Sequence, residues 1–422
     1  MNRFAKVFKS MVQSYNSTSL IVRITAGLAV GILLAMLVPG WTWIGEFGNL
    51  FVNALKAMAP VLVFVLVASA LAQNSSKLDR RFGTVIWLYM LTTFLAAMLA
   101  VATSFLFPQT LTLGTSASAD TVPQGLAEVL HTLLVNMVAN PFDALANGNY
   151  IGILMWAVLF GFAMKKAGSD QAKKFMAEVS DGVSIIVRWI INLAPFGIMG
   201  LIFTTVSTSG FSIFTDYGKL LLLLVGTMLF MALVVSPLVI FLHLHVNPYP
   251  LVFRCLKESG ISAFFTRSSA ANIPVNMELC RKLGLDKNFY SVSIPLGSTI
   301  NMDGAAITIT IMTLAAANTM GIHVSIPAAI ILSILSALGA CGASGVAGGS
   351  LLLIPMACSI FGISQDVAMQ VVAVGFIIGV IQDSVETALN SAGDVEFTAT
   401  AEYMQWEKKG KKLPAFFYGK KK

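Results

Sequence analysis

"SIPLGSTINMDGAAITITIMTLAAA", residues 293–317, is long and apolar enough to cross a bilayer, yet Asn301, Met302, Asp303 and Gly304 stand in its middle. A spanning helix needs roughly 20 apolar residues, and a carboxylate at its centre costs on the order of 2.5–3.5 kcal/mol on insertion scales. Asp303 therefore demands a partner, and the search for it organises the rest of the chain. The composition fits a bilayer as solvent. Of the 422 residues 56% are hydrophobic and only 11% charged, a balance that a water-soluble globule of this length does not show. The formal charge of +7 does not mark a nucleic-acid groove, because the Lys and Arg fall in short runs between apolar stretches and at both ends. They read as topology signals, and no nucleic-acid partner is expected.

Spans are expected near 20–39, 47–73, 83–107, 150–164, 183–206 and 219–245. Arg3, Lys6 and Lys9 precede the first, which is too long for the core of a signal peptide. Lys77, Arg80 and Arg81 follow the second, whereas the 108–149 connection has no Lys or Arg. Adding Lys165, Lys166, Lys173 and Lys174, then Arg254, Lys257, Arg281, Lys282 and Lys287, then the lysines from 408 onward, the positive-inside bias puts both termini in the cytoplasm. This accounting closes only if two segments enter and turn back. One is about 258–280, around "TRSSAAN" at 266–272; the other is about 326–362, two apolar arms joined by a tip from Gly342 to Ser350. Irregular backbone at membrane depth is tolerated only where protein or a water-filled cavity satisfies it, and opposed interrupted segments point to the binding site of a secondary transporter. The expected fold is an all-α polytopic membrane protein with eight transmembrane helices and two opposed re-entrant helical hairpins. Residues 1–245 would carry six spans. Residues 246–402 would form a core of the first hairpin, a broken helix at about 289–318, the second hairpin and a helix at about 366–400. A basic cytoplasmic tail, 403–422, would follow.

The last span concentrates the polar chemistry. In "QVVAVGFIIGVIQDSVETALNSAGDVEFTA", 370–399, a helical period of about 100° per residue brings Asp383, Thr387, Asn390 and Asp394 into a narrow arc, with Glu386 on its edge. Asp303 and Asp394, with Asn301, Asn390 and backbone freed by a break at Gly304, offer only oxygen ligands, which suits a hard cation. A proton would also neutralise an Asp, but a relay needs neither an Asn pair nor a broken helix, so sodium is the expected partner. No other cofactor or metal is expected. Cys255, Cys280, Cys341 and Cys358 have no metal or redox spacing and read as packing residues, and His243 and His245 are two apart rather than on one helix face. No H-E-x-x-H or G-x-S-x-G run appears and no His falls in the stripe or the hairpin tips, which speaks against an enzyme.

Four runs, "TRSSAANIPV", "PLGSTINMDG", "GASGVAGGS" and "QDSVETALNSAGD", together with "YMLTTF" at 89–94, resemble the dicarboxylate/amino acid:cation symporter family, the glutamate-transporter fold, over essentially the whole chain. The resemblance implies one sodium site at Gly297, Asn301, Asn390 and Asp394, a second at Tyr89, Thr92, Thr93, Asn301 and Asp303, and a third between backbone near Thr299 and the second hairpin. It places substrate between the hairpin tips, with its carboxylate at Ser269 and Asn390, its ammonium at Asp383, Val346 closing from outside, and Ser268, Glu386 and Thr387 beside them. It further implies a homotrimer in a bacterial inner membrane, with spans 1, 2, 4 and 5 as scaffold and the remaining elements moving in an elevator-like alternating-access cycle. Acidic-substrate members carry an Arg three residues after the Asp of the eighth helix and a Thr directly after NMDG; here those positions are Glu386 and Ala305. A small neutral amino acid, serine or threonine first, is therefore the expected substrate of a sodium symport. An acidic amino acid or dicarboxylate symporter, or a cation channel, is the alternative. Arg267 is expected to pair with Glu386, since a buried unpaired Arg is costly.

Overall fold

The computed structural model describes residues 15, 18, 20–73, 80–113, 134–210, 213–341 and 348–418, and among them there are helices and connections but no strands. In a bilayer this is what physics requires, because a helix satisfies its own backbone hydrogen bonds. The elements are α1 Leu20–Leu37, α2 Gly45–Gln73, α3 Arg80–Leu106, a short α4 Pro141–Asn147, α5 Tyr150–Ala167, α6 Asp170–Asn192, α7 Ala194–Ser209, α8 Ile213–Phe230 and α9 Ser236–Leu244. Then come α10 Tyr249–Cys255, α11 Ile261–Thr266, α12 Ser269–Lys282, α13 Lys287–Ile300, α14 Asp303–Thr319, α15 Ile326–Ala340, α16 Ile354–Cys358 and α17 Gln365–Lys408. Among the described residues, Thr42–Gln73, Arg81–Leu106, Thr215–Leu244, Lys287–Thr319 and Gln365–Lys408 are each long and apolar enough to cross a membrane. The chain is a multi-pass membrane protein.

Two groups of helices emerge from the packing. α1, α2, α5, α6 and α7 pack mainly on one another, while α3, α11–α14 and α16 gather around α17 and α15 packs on α3 and α14. Aromatic contact joins the groups at Phe51 and Phe376, whose rings meet edge to face at 5.1 Å.

The structure departs from expectation at three places in the backbone. The fifth span, expected at 183–206, is instead a pair: α6 and α7 meet at a 50° bend. Pro195 opens α7, and a proline inside a helix removes one N–H bond and clashes with the carbonyl four residues back. The first half of α6 is too polar to read as part of that span, with Asp170, Lys173, Lys174, Glu178 and Asp181 along it. The break in the opening stretch falls at Asn301 and Met302, between α13 and α14, and not at Gly304. Asn301 has φ −94° and ψ 85°, and Met302 φ −124° and ψ 50°, so Gly304 lies already within the first turn of α14. The last helix continues to Lys408, and Ala415–Tyr418 folds back so that Phe417 packs edge to face on Tyr403 at 5.7 Å; the tail expected from 403 thus begins as helix.

At the first interrupted segment the chain turns at Arg267, which holds a left-handed φ of 51°, and Ser268 caps the next helix by accepting from Ala271 N at 3.2 Å. The two arms touch, Asn272 Nδ2 donating to Ser259 O at 3.2 Å. In the second interrupted segment α15 ends near Cys341, and its chain resumes at Gly348 and a short turn Ser350–Leu353. Residues 342–347, most of the expected tip and Val346 with it, lie outside the described residues.

Candidate functional site

The break after Ile300 leaves helix ends inside the protein, and the residues flanking it are sealed there: Asn301, Asp303 and Asp394 are each fully buried. Asn301 Nδ2 donates to Asn390 O and to Asp394 Oδ1, both at 3.1 Å, and Gly304 N donates to Asn390 Oδ1 at 2.7 Å. α13, α14 and α17 are thereby tied at one point. From α3, Thr93 Oγ1 donates to Asp303 Oδ1 at 3.0 Å, and Met302 N donates to Thr93 Oγ1 at 3.3 Å. Tyr89 Oη lies 3.0 Å from Asp394 O, 2.9 Å from Thr398 Oγ1 and 3.3 Å from Ser293 O.

Among the described residues, three oxygens in this cluster have no donor: Asn301 Oδ1, Asp303 Oδ2 and Asp394 Oδ2. A buried acceptor without a partner costs about 1–3 kcal/mol, and more for a charged group. Two carboxylates and an amide oxygen, with no ion pair from any described residue, form a ligand set for a hard cation. The backbone is shaped to let these groups meet. A Cβ at Gly297 would stand 2.8 Å from both Asp394 Oδ1 and Tyr89 Oη. Thr92 uses its hydroxyl on Leu88 O and Tyr89 O, at 3.0 and 3.2 Å, and Thr299 uses its own on Leu296 O at 2.8 Å. Cys341 Sγ donates to Ile300 O at 3.4 Å, which brings the end of α15 against the end of α13 near Thr299.

A second polar cluster lies one to three turns along α17. Arg267 does not pair with Glu386. Its Nε and Nη2 both donate to Asp383 Oδ2, at 2.7 and 2.6 Å, and Gly348 N donates to Asp383 Oδ1 at 3.2 Å. The left-handed turn at Arg267 aims the guanidinium at the nearer acid of the stripe, and Glu386 is already engaged elsewhere. Glu386 Oε2 accepts from Thr308 Oγ1 at 2.7 Å, from Ser350 Oγ at 2.9 Å and from Gln382 Nε2 at 2.5 Å. Ser269 and Asn390 are buried, Thr387 Oγ1 donates back to Asp383 O at 2.7 Å, and Ser268 caps α12. Except for Val346, the residues expected around the substrate thus flank one region of α17.

Sequence reasoning missed Thr308, Ser350, Ser293 and Thr398. Thr308 sits in "ITITIM", which reads as an apolar β-branched run, and only its hydroxyl gives it away. Ser293 and Thr398 are bonded to each other at 3.0 Å and reach Tyr89 together, a contact between distant segments that no spacing signals. A third network was also not anticipated. Asn272 Nδ2 donates to Ser391 Oγ at 2.8 Å and Asn276 Nδ2 to Ser391 O at 3.1 Å, fastening α12 to α17 beside Asn390.

The sequence model of the sodium:dicarboxylate symporter family matches residues 20–404. A serine/threonine transporter of Bifidobacterium adolescentis is 71% identical over 421 residues, covering 100% of this chain and 98% of that one. Proteins of the same name from Streptococcus agalactiae and Streptococcus thermophilus are 58% and 57% identical over 402 and 401 residues, 95% of this chain and all of theirs.

Proposed function

Because the chain belongs to the sodium:dicarboxylate symporter family, we propose that it imports serine and threonine by sodium symport. It is a transporter and not an enzyme. The observation that carries the coupling is the trio of donorless buried oxygens on Asn301, Asp303 and Asp394. Sodium would bind there as cargo, at Gly297, Asn301, Asn390 and Asp394 and at Tyr89, Thr92, Thr93, Asn301 and Asp303, with a third place near Thr299. Bound cations would offset the like charges of the two carboxylates and hold α13, α14 and α17 in one arrangement, so that substrate meets a formed site only when sodium is present.

The amino acid would lie between the two interrupted segments, its carboxylate on Ser269 and Asn390 and its ammonium on Asp383. There it competes with Arg267, whose guanidinium holds that carboxylate in the present arrangement. A second acidic group on the substrate would meet Glu386, while Arg267 is engaged with Asp383, which disfavours a dicarboxylate. The relatives' names, serine/threonine transporter, support the same choice. We take the architecture to be eight crossing segments with two re-entrant hairpins. The packing supports a scaffold of α1, α2 and α5–α7 against which the remaining helices slide as an elevator. The assembly is a homotrimer in the bacterial inner membrane, with both termini cytoplasmic.

The test is uptake of labelled serine into proteoliposomes under an inward sodium gradient. Accumulation above the external concentration, abolished by potassium replacement or by a sodium ionophore, is expected. Uptake indifferent to sodium, or an ionic current with no serine accumulation, overturns the reading.

A further inference from the structure

An amino acid whose carboxylate lies on Ser269 and Asn390 is gripped between two helices, α12 and α17, and the two jaws are held in different ways. Asn390 is set from α14: its Oδ1 accepts from Gly304 N at 2.7 Å, while its Nδ2 meets Met302 Sδ at 3.5 Å, a weak acceptor that a carboxylate displaces. Ser269 is the first residue of α12 and follows wherever α12 is fixed. What fixes α12 against α17 is a buried network one turn further on. Asn272 Nδ2, Asn276 Nδ2 and Ser259 Oγ converge on Ser391 Oγ at 2.8, 3.0 and 3.2 Å. Asn272 Nδ2 also reaches Ser259 O and Asn276 Oδ1, both at 3.2 Å, and Asn276 Nδ2 reaches Ser391 O at 3.1 Å. All four side chains are fully buried. The first arm lies against α17 here, for a Cβ on Gly260 would stand 3.6 Å from Ala388 O. Its turn Leu256–Gly260 is π-helical, an irregularity that often accompanies functional sites. Stability alone does not account for this polarity. Asn272 Oδ1 is buried with no donor among the described residues, and an acceptor left unmade costs more than an apolar group of the same shape.

We propose that Ser259, Asn272, Asn276 and Ser391 are positioning residues that set the gap between Ser269 and Asn390, and with it the affinity for the carboxylate that every amino acid substrate carries. The proposal rests on the reading that places that carboxylate at Ser269 and Asn390. Asn272 follows Ser269 by three residues, so the two share a face of α12 and lie about 4.5 Å apart along its axis. Ser391 directly follows Asn390 on α17. The network therefore fastens the two helices within one turn of the place where both must reach a single carboxylate. Such a grip needs its groups held to about 0.5 Å, because a stretched or bent hydrogen bond weakens steeply. Across so short a lever, a shift of α12 against α17 at the network passes to the gap almost unchanged. The sodium ligands are tied through other contacts, Asn301 to Asp394 and Thr93 to Asp303, and do not depend on this fastening.

Ser391→Ala removes the hydroxyl on which the three side chains converge and leaves Asn390 in place. Serine and threonine are titrated calorimetrically into purified protein at saturating sodium, and sodium is titrated without amino acid. Ser391→Ala should weaken serine and threonine alike, each by roughly 5–10-fold, with their ratio unchanged and sodium affinity within about twofold. Asn272→Leu has nearly the same shape without the polar atoms; it should act in the same way and carries the test if Ser391→Ala fails to fold. A double-mutant cycle with Ser269→Ala separates positioning from mere support. Once that jaw is gone, Ser391→Ala should weaken serine by no more than about a further twofold, whereas independent effects multiply. The assignment is overturned by unchanged serine affinity in both network variants or by multiplied losses in the double variant. It is equally overturned if sodium and serine weaken together with a lower unfolding temperature, the result expected of a network that only holds helices together. Serine affinity left intact by Ser269→Ala, or failure of the unaltered protein to bind serine with sodium, is a different result and strikes the parent reading instead.

Discussion

The helices α1, α2 and α5–α7 and those gathered around α17 face the same bilayer, yet they differ in what they bury beside their apolar core. In the first group what is buried is mostly apolar, as at Ile24, Phe51, Leu55, Ile198 and Ile202, with only small serines such as Ser69 and Ser184 among the buried polar residues described there, and large apolar side chains such as Leu33, Leu50, Phe160 and Trp189 face outward. Lipid is as apolar as leucine, so association there rests on close packing by small residues rather than on hydrophobicity. A Cβ on Gly200 would come within 2.5 Å of Gly48 N and 2.8 Å of Ile44 O. Around α17 polarity joins the apolar packing: Gln382, Asp383, Glu386, Asn390 and Asp394 are buried beside Val371, Val372, Leu389 and Phe397, and hydrogen bonds add to fit in holding the helices. The difference separates residues whose loss changes stability from residues whose loss changes transport.

The largest effect should come from the centre of the second group. Asp394→Asn keeps the shape and the contact with Asn301 but removes the charge at one donorless oxygen, and sodium-driven uptake should fall by roughly 100-fold or more. The variant should remain monodisperse in detergent. Unchanged sodium dependence of serine uptake would remove Asp394 from the cation site. A matched pair of glycine substitutions then breaks the comparison into its parts. Gly297→Ala forces a methyl against Asp394 Oδ1 and Tyr89 Oη, and sodium affinity should drop roughly 10–100-fold, as when outer contacts of a metal site are disturbed. Gly200→Ala meets backbone instead and should cost about 1–3 kcal/mol of stability by overpacking, with sodium affinity intact in whatever protein folds. Thermal unfolding with and without sodium separates the two, and equal sodium responses would erase the distinction.

A buried ion pair lets the same contrast be drawn at one residue. Asp383→Ala strands the Arg267 guanidinium, whose side chain is 7% exposed, and breaking such a pair costs about 3–5 kcal/mol. Replacing both, Arg267→Met with Asp383→Ala, should recover most of that stability but not serine binding. If the double variant binds serine normally, Asp383 serves structure alone. Recovery of neither would mean that other contacts of Arg267 dominate.

Much of this was legible in the chain because bilayer burial makes polar residues conspicuous. Asp303 in an apolar run, and the stripe Asp383, Thr387, Asn390 and Asp394, announce themselves by cost alone. The polar turn at Arg267 and Ser268 follows from charge sidedness. What was not legible was the direction of side chains and the position of backbone breaks. The sequence places the break at Gly304, whereas the chain opens at Asn301 and Met302, where Thr93 and Asn390 side chains take up the backbone N–H groups of Met302 and Gly304. The partner of Arg267 was misassigned because Asp383 and Glu386 share a helix face, and only the three donors already on Glu386 decide between them. The bend at Pro195 was missed for a simpler reason: the apolar count over 183–206 outweighed one proline.

The smallest effect tests whether burial of polarity around α17 always means function. Thr310 on α14 and Ser336 on α15 are fully buried, and their hydroxyls have no hydrogen-bond partner among the described residues. Helical threonine ordinarily returns its hydroxyl to a carbonyl one turn back, as Thr319 does to Ala315 O at 2.7 Å. Thr310 does not. If its hydroxyl serves nothing, the isosteric Thr310→Val removes an unsatisfied donor and should stabilise the protein by about 1 kcal/mol with uptake unchanged. If the hydroxyl meets a ligand or water during the transport cycle, the variant should lose uptake without gaining stability. Measured by thermal unfolding alongside serine uptake, the first outcome would confine the functional polar core to the break, Asp383 and Glu386. The second would extend it along α14, away from the residues whose chemistry the sequence had announced.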